Sequence, residues 1–391
     1  MNSNSHELPF VDEVINAIQS VVDCGPTILH EPSFSNKELI YLKECIDSTF
    51  VSSVGKYVDQ FEAELSTFTG AKYVVAVVNG TAALHIALRL AGVSQGHEVL
   101  VPALTFIATA NAVSYCGATP HFIDSEERTL GVDPIALREY LEDISSIVSG
   151  ECVNRRTGKV IRAIVPVHVF GHPVDIEGII AVAHDYYLDV IEDAAGALGS
   201  RVGGQHTGTF GSTGILSFNG NKIITTGGGG AILTNDKKLA EHAKHLTTTA
   251  KAPHKWNYVH DTIGFNYRLP NINAALGCAQ LEQLPILIKA KRNLYKRYKA
   301  AFNKIPQLHV MNEPKGCESN FWLQTLYLNE SISSRRDEIL EATHKANLMT
   351  RPAWTLLNKL PPYRKSPMMD LTVAESLERS LINLPSSSSL V

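Results

Sequence analysis

The chain has 391 residues, and its 35 Lys and Arg against 39 Asp and Glu give a formal net charge of −4. Hydrophobic residues make up 44% and charged residues 19%, which is typical of a globular protein with a large core. A slightly acidic chain without a basic block argues against a nucleic-acid partner. The 6 cysteines form no CxxC pair, so we expect neither a disulfide framework nor a metal site.

The first residues, MNSNSHELPFVDEV, lack the basic segment and apolar core of a signal peptide. The apolar runs elsewhere are far shorter than a membrane span requires. We therefore predict a cytoplasmic protein with no membrane partner.

Residues 1–35 are predicted to form a short helix and an extended arm, because Pro26 and Pro32 interrupt the segment. Helical apolar spacing follows over 36–68, with a break at 52–55. Strand and helix patterns then alternate. Strands are predicted at 72–78, 98–101, 120–123, 161–167, 188–191 and 215–218, and helices at 80–91, 108–116 and 175–186. This alternation predicts an α/β fold with a mostly parallel central sheet sandwiched by helices.

The C-terminal part changes character after a long helical pattern over 271–303. A strand pattern at 321–328 and a helix pattern at 334–346 predict a smaller α/β domain there. We therefore divide the chain into an N-terminal arm (1–35), a large domain (36–280), and a long connecting helix with the small domain (281–391).

Ligands of parallel sheets bind beyond the carboxyl ends of the strands, so the residues that follow each strand are candidate site residues. After the first strand, Gly80 lets the backbone approach a ligand, and Thr81 adds a hydroxyl at a helix N-terminus, which favours a phosphate. Phe106 follows the second strand and could stack on a planar ring. The ordinary alternatives are a helix-capping turn and a core aromatic residue.

Asp193, after a further apolar strand, could hold a heteroaromatic nitrogen in its protonated form, or it could simply cap a helix. Lys222 follows Ser217 in a loop of small residues and precedes four glycines at 227–230, although a solvated lysine and a glycine hairpin would look the same. A phosphate cup, an aromatic ring, a carboxylate and an amine are together the contacts that pyridoxal phosphate needs. The combination of the four therefore predicts this cofactor.

These motifs resemble the DegT/StrS family of nucleotide-sugar aminotransferases, which have the fold-type I architecture of pyridoxal phosphate enzymes. The matching stretches are 53–55, 61–62, 79–84, 102–106, 167–171, 192–195, 217–222, 264–268 and 383–387. Within the family, the arm at 29–32 and the segment at 245–251 resemble the branch attributed to legionaminic-acid and related nonulosonic-acid biosynthesis.

The resemblance implies a role for each matching residue. Lys222 would bond covalently to the cofactor and move protons, and Asp193 would pair with the pyridine nitrogen. The implied cofactor contacts are Gly80, Thr81, Phe106, His168, Asp193, Ser217, Asn219, Lys222 and Asn266, with Asn266 reaching the phosphate from the partner subunit of a homodimer. The implied substrate contacts are His30, Tyr267 and Arg268. Two residues depart from the family pattern, because Gly196 and Gly228 stand where many members carry polar side chains.

The implied reaction moves an amino group from L-glutamate to C4 of a nucleotide-linked 4-keto-6-deoxy (2-acetamido) hexose, for bacterial surface-glycan or nonulosonic-acid biosynthesis. Two alternatives stay open: a dehydratase on the same scaffold, which the lysine at 222 disfavours, and a non-catalytic nucleotide-sugar or pyridoxal phosphate-binding protein. A dinucleotide-binding enzyme is disfavoured because the glycines at 203–208 lack the required spacing. A metal pair at His168 and His172 is disfavoured because Gly171 and Pro173 interrupt any helix there.

Overall fold

The computed structural model describes residues 10–22 and 25–391, so Cys24 and the first nine residues of the predicted arm lie outside the described residues. The α-helices are α1 (Phe10–Gln19), α2 (Lys37–Ser48), α3 (Lys56–Thr69), α4 (Gly80–Leu90), α5 (Ala108–Tyr115), α6 (Pro134–Ile144), α7 (Ile176–Asp185), α8 (Lys237–Thr247), α9 (Asn271–Phe302), α10 (Arg336–Lys345) and α11 (Thr372–Ser380). The strands are β1 (Tyr73–Val77), β2 (Glu98–Pro102), β3 (Thr119–Ile123), β4 (Ser145–Val148), β5 (Glu151–Asn154), β6 (Val160–Ile164), β7 (Asp189–Asp193), β8 (Arg201–Val202), β9 (Gln205–His206), β10 (Thr213–Ser217), β11 (Gly230–Thr234), β12 (Lys251–Ala252), β13 (Val259–His260), β14 (Leu308–Val310), β15 (Cys317–Glu318), β16 (Gln324–Leu328), β17 (Arg351–Pro352) and β18 (Leu381–Leu384).

The central sheet has the strand order β1-β11-β10-β7-β6-β2-β3. Pairing is parallel from β10 through β7, β6 and β2 to β3, which confirms the α/β fold class and places the predicted strands side by side. Most pairings along this order are parallel, as predicted, and the sheet is mixed because β11 pairs antiparallel with both β1 and β10. Strand β11 escaped the sequence analysis because only a short apolar run follows its glycines.

Helices cover both faces of the sheet, and alternate residues of each strand point to opposite sides. Val99 and Val101 of β2 pack in the core cluster that contains α4 and α5, whereas Leu100 packs in the cluster that contains α6 and α7. At the other end of the sheet, Val74 and Ala76 of β1 face α3 and the first half of α9. The predicted sandwich is therefore confirmed, with buried apolar side chains on both faces.

The C-terminal part forms a second sheet, β14-β16-β18-β17, whose strands pair antiparallel. Helix α9 continues across Pro285 and contributes its second half to the core of this smaller sheet. Helix α1 packs in the same core through Val14 and Ile18. The arm at 27–31 is tied to the small sheet, since the Ser386 N–H donates to the Leu29 carbonyl at 2.7 Å. The division of the chain at 35 and 280 stays a prediction.

Two small antiparallel pieces complete the fold: the three-stranded sheet β15-β8-β9 and the hairpin β12-β13. Across 10–22 and 25–391, no helix combines the length and the apolar character needed to cross a bilayer.

Candidate active site

A chamber of about 290 Å³ lies at the carboxyl edge of the central sheet. The loops that follow β1, β2, β7 and β10 meet there, as expected for strands that end at one edge. Its lining includes Asn79, Gly80, Thr81, Thr105, Phe106, Thr109, His168, Asp193, Gly196, Ser217, Asn219, Asn221, Lys222, Gly229, Trp322 and Trp354. The chamber therefore brings together eight of the nine predicted cofactor contacts: all except Asn266.

One end of the chamber is the N-terminus of α4. The Asn79 side chain caps this helix and accepts from the Ala82 N–H at 2.7 Å, so the capping turn expected from the sequence is present. A Cβ at Gly80 would lie 2.9 Å from Cβ of Ser217, so glycine is needed for α4 to approach the end of β10. Free N–H groups beside the Thr81 and Ser217 hydroxyls form an anion site of the kind that binds phosphate.

The carboxylate of Asp193 lies at the end of β7 and is buried. One oxygen accepts from the Thr109 hydroxyl at 2.8 Å, and the other accepts from the Ala195 N–H at 3.1 Å. Burial raises the pKa of Asp193 above its ordinary value, while these hydrogen bonds and the nearby Lys222 act in the opposite direction. A carboxylate fixed in this way suits a protonated ring nitrogen, which would compensate its buried charge.

Lys222 lies in the loop that connects β10 to the antiparallel strand β11. Its Nζ is 3.5 Å from the centroid of the Trp322 ring, and the Trp322 Nε1–H donates to the Asn221 carbonyl at 2.7 Å. Burial lowers the pKa of Lys222 to about 8, with Asp193 acting in the opposite direction. The unprotonated, nucleophilic form of this amine is therefore far more abundant near neutral pH than that of an ordinary lysine.

Aromatic rings border the chamber on its open side. Phe106 is 56% exposed, and its ring centroid is 6.4 Å from that of Trp354. Trp354 in turn packs on Phe170, with 4.6 Å between the ring centroids. The face of Phe106 is thus free to stack on a planar ligand, as the sequence predicts.

His168, in the wall of the chamber, forms a buried pair with Glu192, with 3.1 Å between Nε2 and Oε2. The Nδ1 of His168 accepts from the Val174 N–H, so Nε2 carries the proton. Glu192 also accepts from the N–H groups of Gly208, Phe210 and Gly211 at 2.6–2.8 Å. Glu192 is therefore held in place by backbone N–H groups, and its hydrogen bond fixes the orientation of the His168 ring.

Four predicted residues lie outside this chamber. Asn266 is exposed on the surface, the Tyr267 hydroxyl is 3.4 Å from Nδ1 of His85, and Arg268 pairs with Val77 of β1. His30 lines a neighbouring cavity. The functional assignments of all four stay predictions, and Asn266 would need the chamber of a second subunit.

The sequence analysis missed Thr109, Trp322 and Trp354. Two of the three tryptophans in the chain line the chamber, so the rarity of tryptophan could have marked them as candidate site residues. The departure at Gly196 has a structural reason, because a Cβ there would lie 2.5 Å from the Trp322 ring. At Gly228 a Cβ would meet only the Val78 carbonyl, at 3.8 Å, and nothing in the structure requires a glycine.

The chamber fits pyridoxal phosphate in its donor set. The N-terminus of α4 offers a phosphate site without a side chain at Gly80, Asp193 offers a buried carboxylate, and Lys222 offers an amine of lowered pKa. Together with the α/β sheet, this set of groups defines a pyridoxal phosphate-dependent enzyme.

Comparison with known proteins gives the family. Residues 32–391 match the DegT/DnrJ/EryC1/StrS aminotransferase family, and the chain belongs to this family of pyridoxal phosphate-dependent aminotransferases. The chain is 39% identical over 362 residues to the GDP-perosamine synthase of Escherichia coli O157:H7, with 93% of each chain covered. It is 37% identical over 366 residues to the putative pyridoxal phosphate-dependent aminotransferase EpsN of Bacillus subtilis strain 168, covering 93% of this chain and 91% of EpsN. The solved aminotransferase TlmJ from Streptoalloteichus hindustanus superposes with a TM-score of 0.84 at 26% identity, covering 94% of this chain and 95% of TlmJ.

Proposed function

We propose that this aminotransferase moves an amino group from L-glutamate to C4 of a nucleotide-linked 4-keto-6-deoxy hexose with a 2-acetamido group. The product would serve bacterial surface-glycan or nonulosonic-acid biosynthesis, in the legionaminic-acid branch. The observation that carries the proposal is the Lys222 amine, which lines the same chamber as the Asp193 carboxylate and the anion site of α4. Similarity to GDP-perosamine synthases supports a nucleotide-linked sugar as the acceptor.

Different residues of the chamber would bind different parts of the cofactor. Gly80, Thr81 and Ser217 would bind its phosphate, Asp193 its ring nitrogen and Phe106 its ring face. When bound, pyridoxal phosphate carries the amino group between the two substrates and withdraws electrons from the reacting carbon. Thr109 and the Ala195 N–H keep the Asp193 carboxylate in place through their hydrogen bonds.

Lys222 moves the proton in this proposal. Its amine would accept a proton from the substrate carbon that bears nitrogen and return it to the carbon on the other side of that nitrogen, which requires a base of pKa near the working pH. The lowered pKa of Lys222, about 8, meets that requirement better than the 10.5 of an ordinary lysine. A histidine at this position would favour the dehydratase alternative, and the lysine disfavours it.

We also propose that a homodimer is the working unit, because Asn266 is exposed and lies outside the chamber of its own chain. Large exposed apolar side chains near Asn266 and on and after α2 support a contact between two copies. They are Leu39, Ile40, Ile46, Phe50, Val54, Trp256, Tyr258 and Ile263.

The function is tested with a panel of UDP-, GDP- and dTDP-linked 4-keto-6-deoxy hexoses and ¹⁵N-labelled L-glutamate. We expect ¹⁵N at C4 of the acetamido sugar, observed by NMR of the product. Borohydride reduction and peptide mapping should place the pyridoxyl group on Lys222. Elimination of a sugar hydroxyl without nitrogen transfer would support the dehydratase instead. Binding of the sugars without any reaction would support the non-catalytic alternative.

A further inference from the structure

A second cavity of about 630 Å³ adjoins the chamber and shares Asn221, Trp322 and Trp354 with it as a common wall. Its other lining residues are Ile28, Leu29, His30, Leu323, Met349, Arg351, Pro352, Ala353 and Asn383. The cavity is mostly apolar, and its lining contains no carboxylate. A substrate held at Lys222 and longer than the chamber would pass the Trp322 ring into this space.

His30 is the unusual residue of this cavity. Both of its ring nitrogens are buried, and neither has a hydrogen-bond partner among the described residues. Burying polar atoms without hydrogen-bond partners destabilises the folded protein. A binding site tolerates that cost when a ligand later supplies the partners.

The arm that carries His30 is held in place by backbone hydrogen bonds on both sides. The Thr27 N–H donates to the Asn347 carbonyl and the Met349 N–H to the Thr27 carbonyl, each at 3.0 Å. Next to His30, the Leu29 carbonyl accepts from the Ser386 N–H, and on the other side of His30 the Glu31 N–H donates to the Ser387 hydroxyl at 3.0 Å. The imidazole is therefore positioned before any ligand arrives.

Burial and two nearby lysines favour the neutral form of the His30 ring. Burial lowers the pKa of His30 well below its ordinary value, and Lys291 and Lys222 lower it further. Lys291 is itself buried and donates to the carbonyls of Trp322 at 2.9 Å and Ser386 at 2.5 Å. A neutral imidazole has one donor and one acceptor, and a single hydroxyl or an amide group can pair with both.

We propose that the second cavity receives part of the hexose and that His30 hydrogen-bonds an uncharged hydroxyl or acylamino substituent of that sugar. The inference rests on the proposed function, since it requires a sugar substrate at Lys222. Gly196 contributes to it, because the absence of a side chain there leaves room for Trp322 in the common wall.

The chain offers a matched control for His30. His172 is also buried with both ring nitrogens unpartnered among the described residues, and it packs on the Phe321 ring with 5.5 Å between centroids. It lines neither cavity. His30→Leu and His172→Leu therefore remove equivalent polar atoms, inside and outside the proposed sugar site.

In the kinetic test, we expect His30→Leu to raise KM for the 4-keto sugar about tenfold, the equivalent of one lost hydrogen bond of about 1.4 kcal/mol. KM for L-glutamate and the rate of the glutamate half-reaction should stay at the wild-type values. His172→Leu should match the wild type in both half-reactions. His30→Asn, which keeps a donor and an acceptor, should recover part of the loss and provides a second variant if leucine impairs folding.

A binding test separates the sugar from the nucleotide. Calorimetric titrations of the holoenzyme with GDP-mannose and UDP-N-acetylglucosamine use GDP and UDP as sugar-free references. We expect His30→Leu to weaken the binding of at least one sugar nucleotide about tenfold, with the bare nucleotides unchanged.

The inference is overturned if His30→Leu behaves like His172→Leu, if the bare nucleotides lose affinity equally, or if only L-glutamate is affected. An active wild type with any of these results leaves the proposed function intact. A wild type that neither binds nor aminates sugar nucleotides refutes both.

Discussion

At the residue scale, the environment of Lys222 predicts a distinctive pH dependence. An ordinary lysine has a pKa of 10.5, whereas burial lowers that of Lys222 to about 8. Because only the unprotonated amine attacks an aldehyde, the apoprotein should capture pyridoxal phosphate at a rate that rises through pH 7 to 8 and levels off above about 9. Stopped-flow absorbance over this range measures the rate. A rate that keeps rising to pH 10 would show that Lys222 titrates like a solvated lysine.

The surroundings of Lys222 could be predicted from the sequence only in part. Lys222, Asp193, Gly80 and Ser217 could be predicted because each lies at or just after the end of a strand, and strand ends meet at one edge of the sheet. Trp322 lies in a loop before β16 and comes to Lys222 only through the packing of the small domain. No pattern local to Trp322 indicates that contact.

At the scale of elements, the approach of α4 to β10 predicts the effect of a single methyl group. Gly80→Ala would place a Cβ 2.9 Å from Cβ of Ser217, so the helix must shift away from the anion site. We expect the dissociation constant of pyridoxal phosphate to rise at least about tenfold, the equivalent of about 1.4 kcal/mol. Titration of the apoprotein, followed by absorbance, measures this constant.

The control for Gly80 is Gly220, in the Lys222 loop, where a Cβ would meet nothing within 4 Å. Gly220→Ala should bind the cofactor as the wild type does. Equal affinities for the two alanine variants would mean that the helix end does not hold the phosphate.

Elements with clear periodicity were predictable, and those without it were not. The parallel strands β2, β3, β6 and β7 are apolar runs between helices, and all were expected. Strand β11 continues a run of glycines with only a short apolar segment, and the hairpin β4–β5 has two strands of 4 residues with exposed positions. Each depends on a partner strand for its stability. Their pairing is a property of the assembled sheet, so a local pattern does not reveal it.

At the scale of the whole molecule, the exposed position of Asn266 predicts complementation between subunits. Lys222→Ala and Asn266→Ala variants should each be impaired alone. In a mixed dimer, the Lys222→Ala subunit would supply Asn266 to the intact chamber of its partner. In the purified mixed dimer one of the two chambers is complete, so activity should return to about half of the wild type.

Mixed samples are prepared by co-expression with two affinity tags and assayed after tandem purification of the mixed dimer. If the mixed dimer is no more active than the mean of the Lys222→Ala and Asn266→Ala homodimers, Asn266 acts in the chamber of its own chain. The sequence alone could suggest this exchange only through the resemblance, since no local feature of 264–268 distinguishes a residue used by a partner.

The tie between the arm at 27–31 and the residues at 386–387 has an evolutionary consequence. Gly80, Asp193 and Lys222 line the chamber, whereas the wall around His30 combines Asn221 of the Lys222 loop with the arm and with residues of the C-terminal part of the chain. If His30 selects the sugar, most of the selectivity is encoded outside the stretch that encodes the reactive groups. Recombination close to the termini could exchange one accepted carbohydrate for another while the machinery of nitrogen transfer is inherited unchanged.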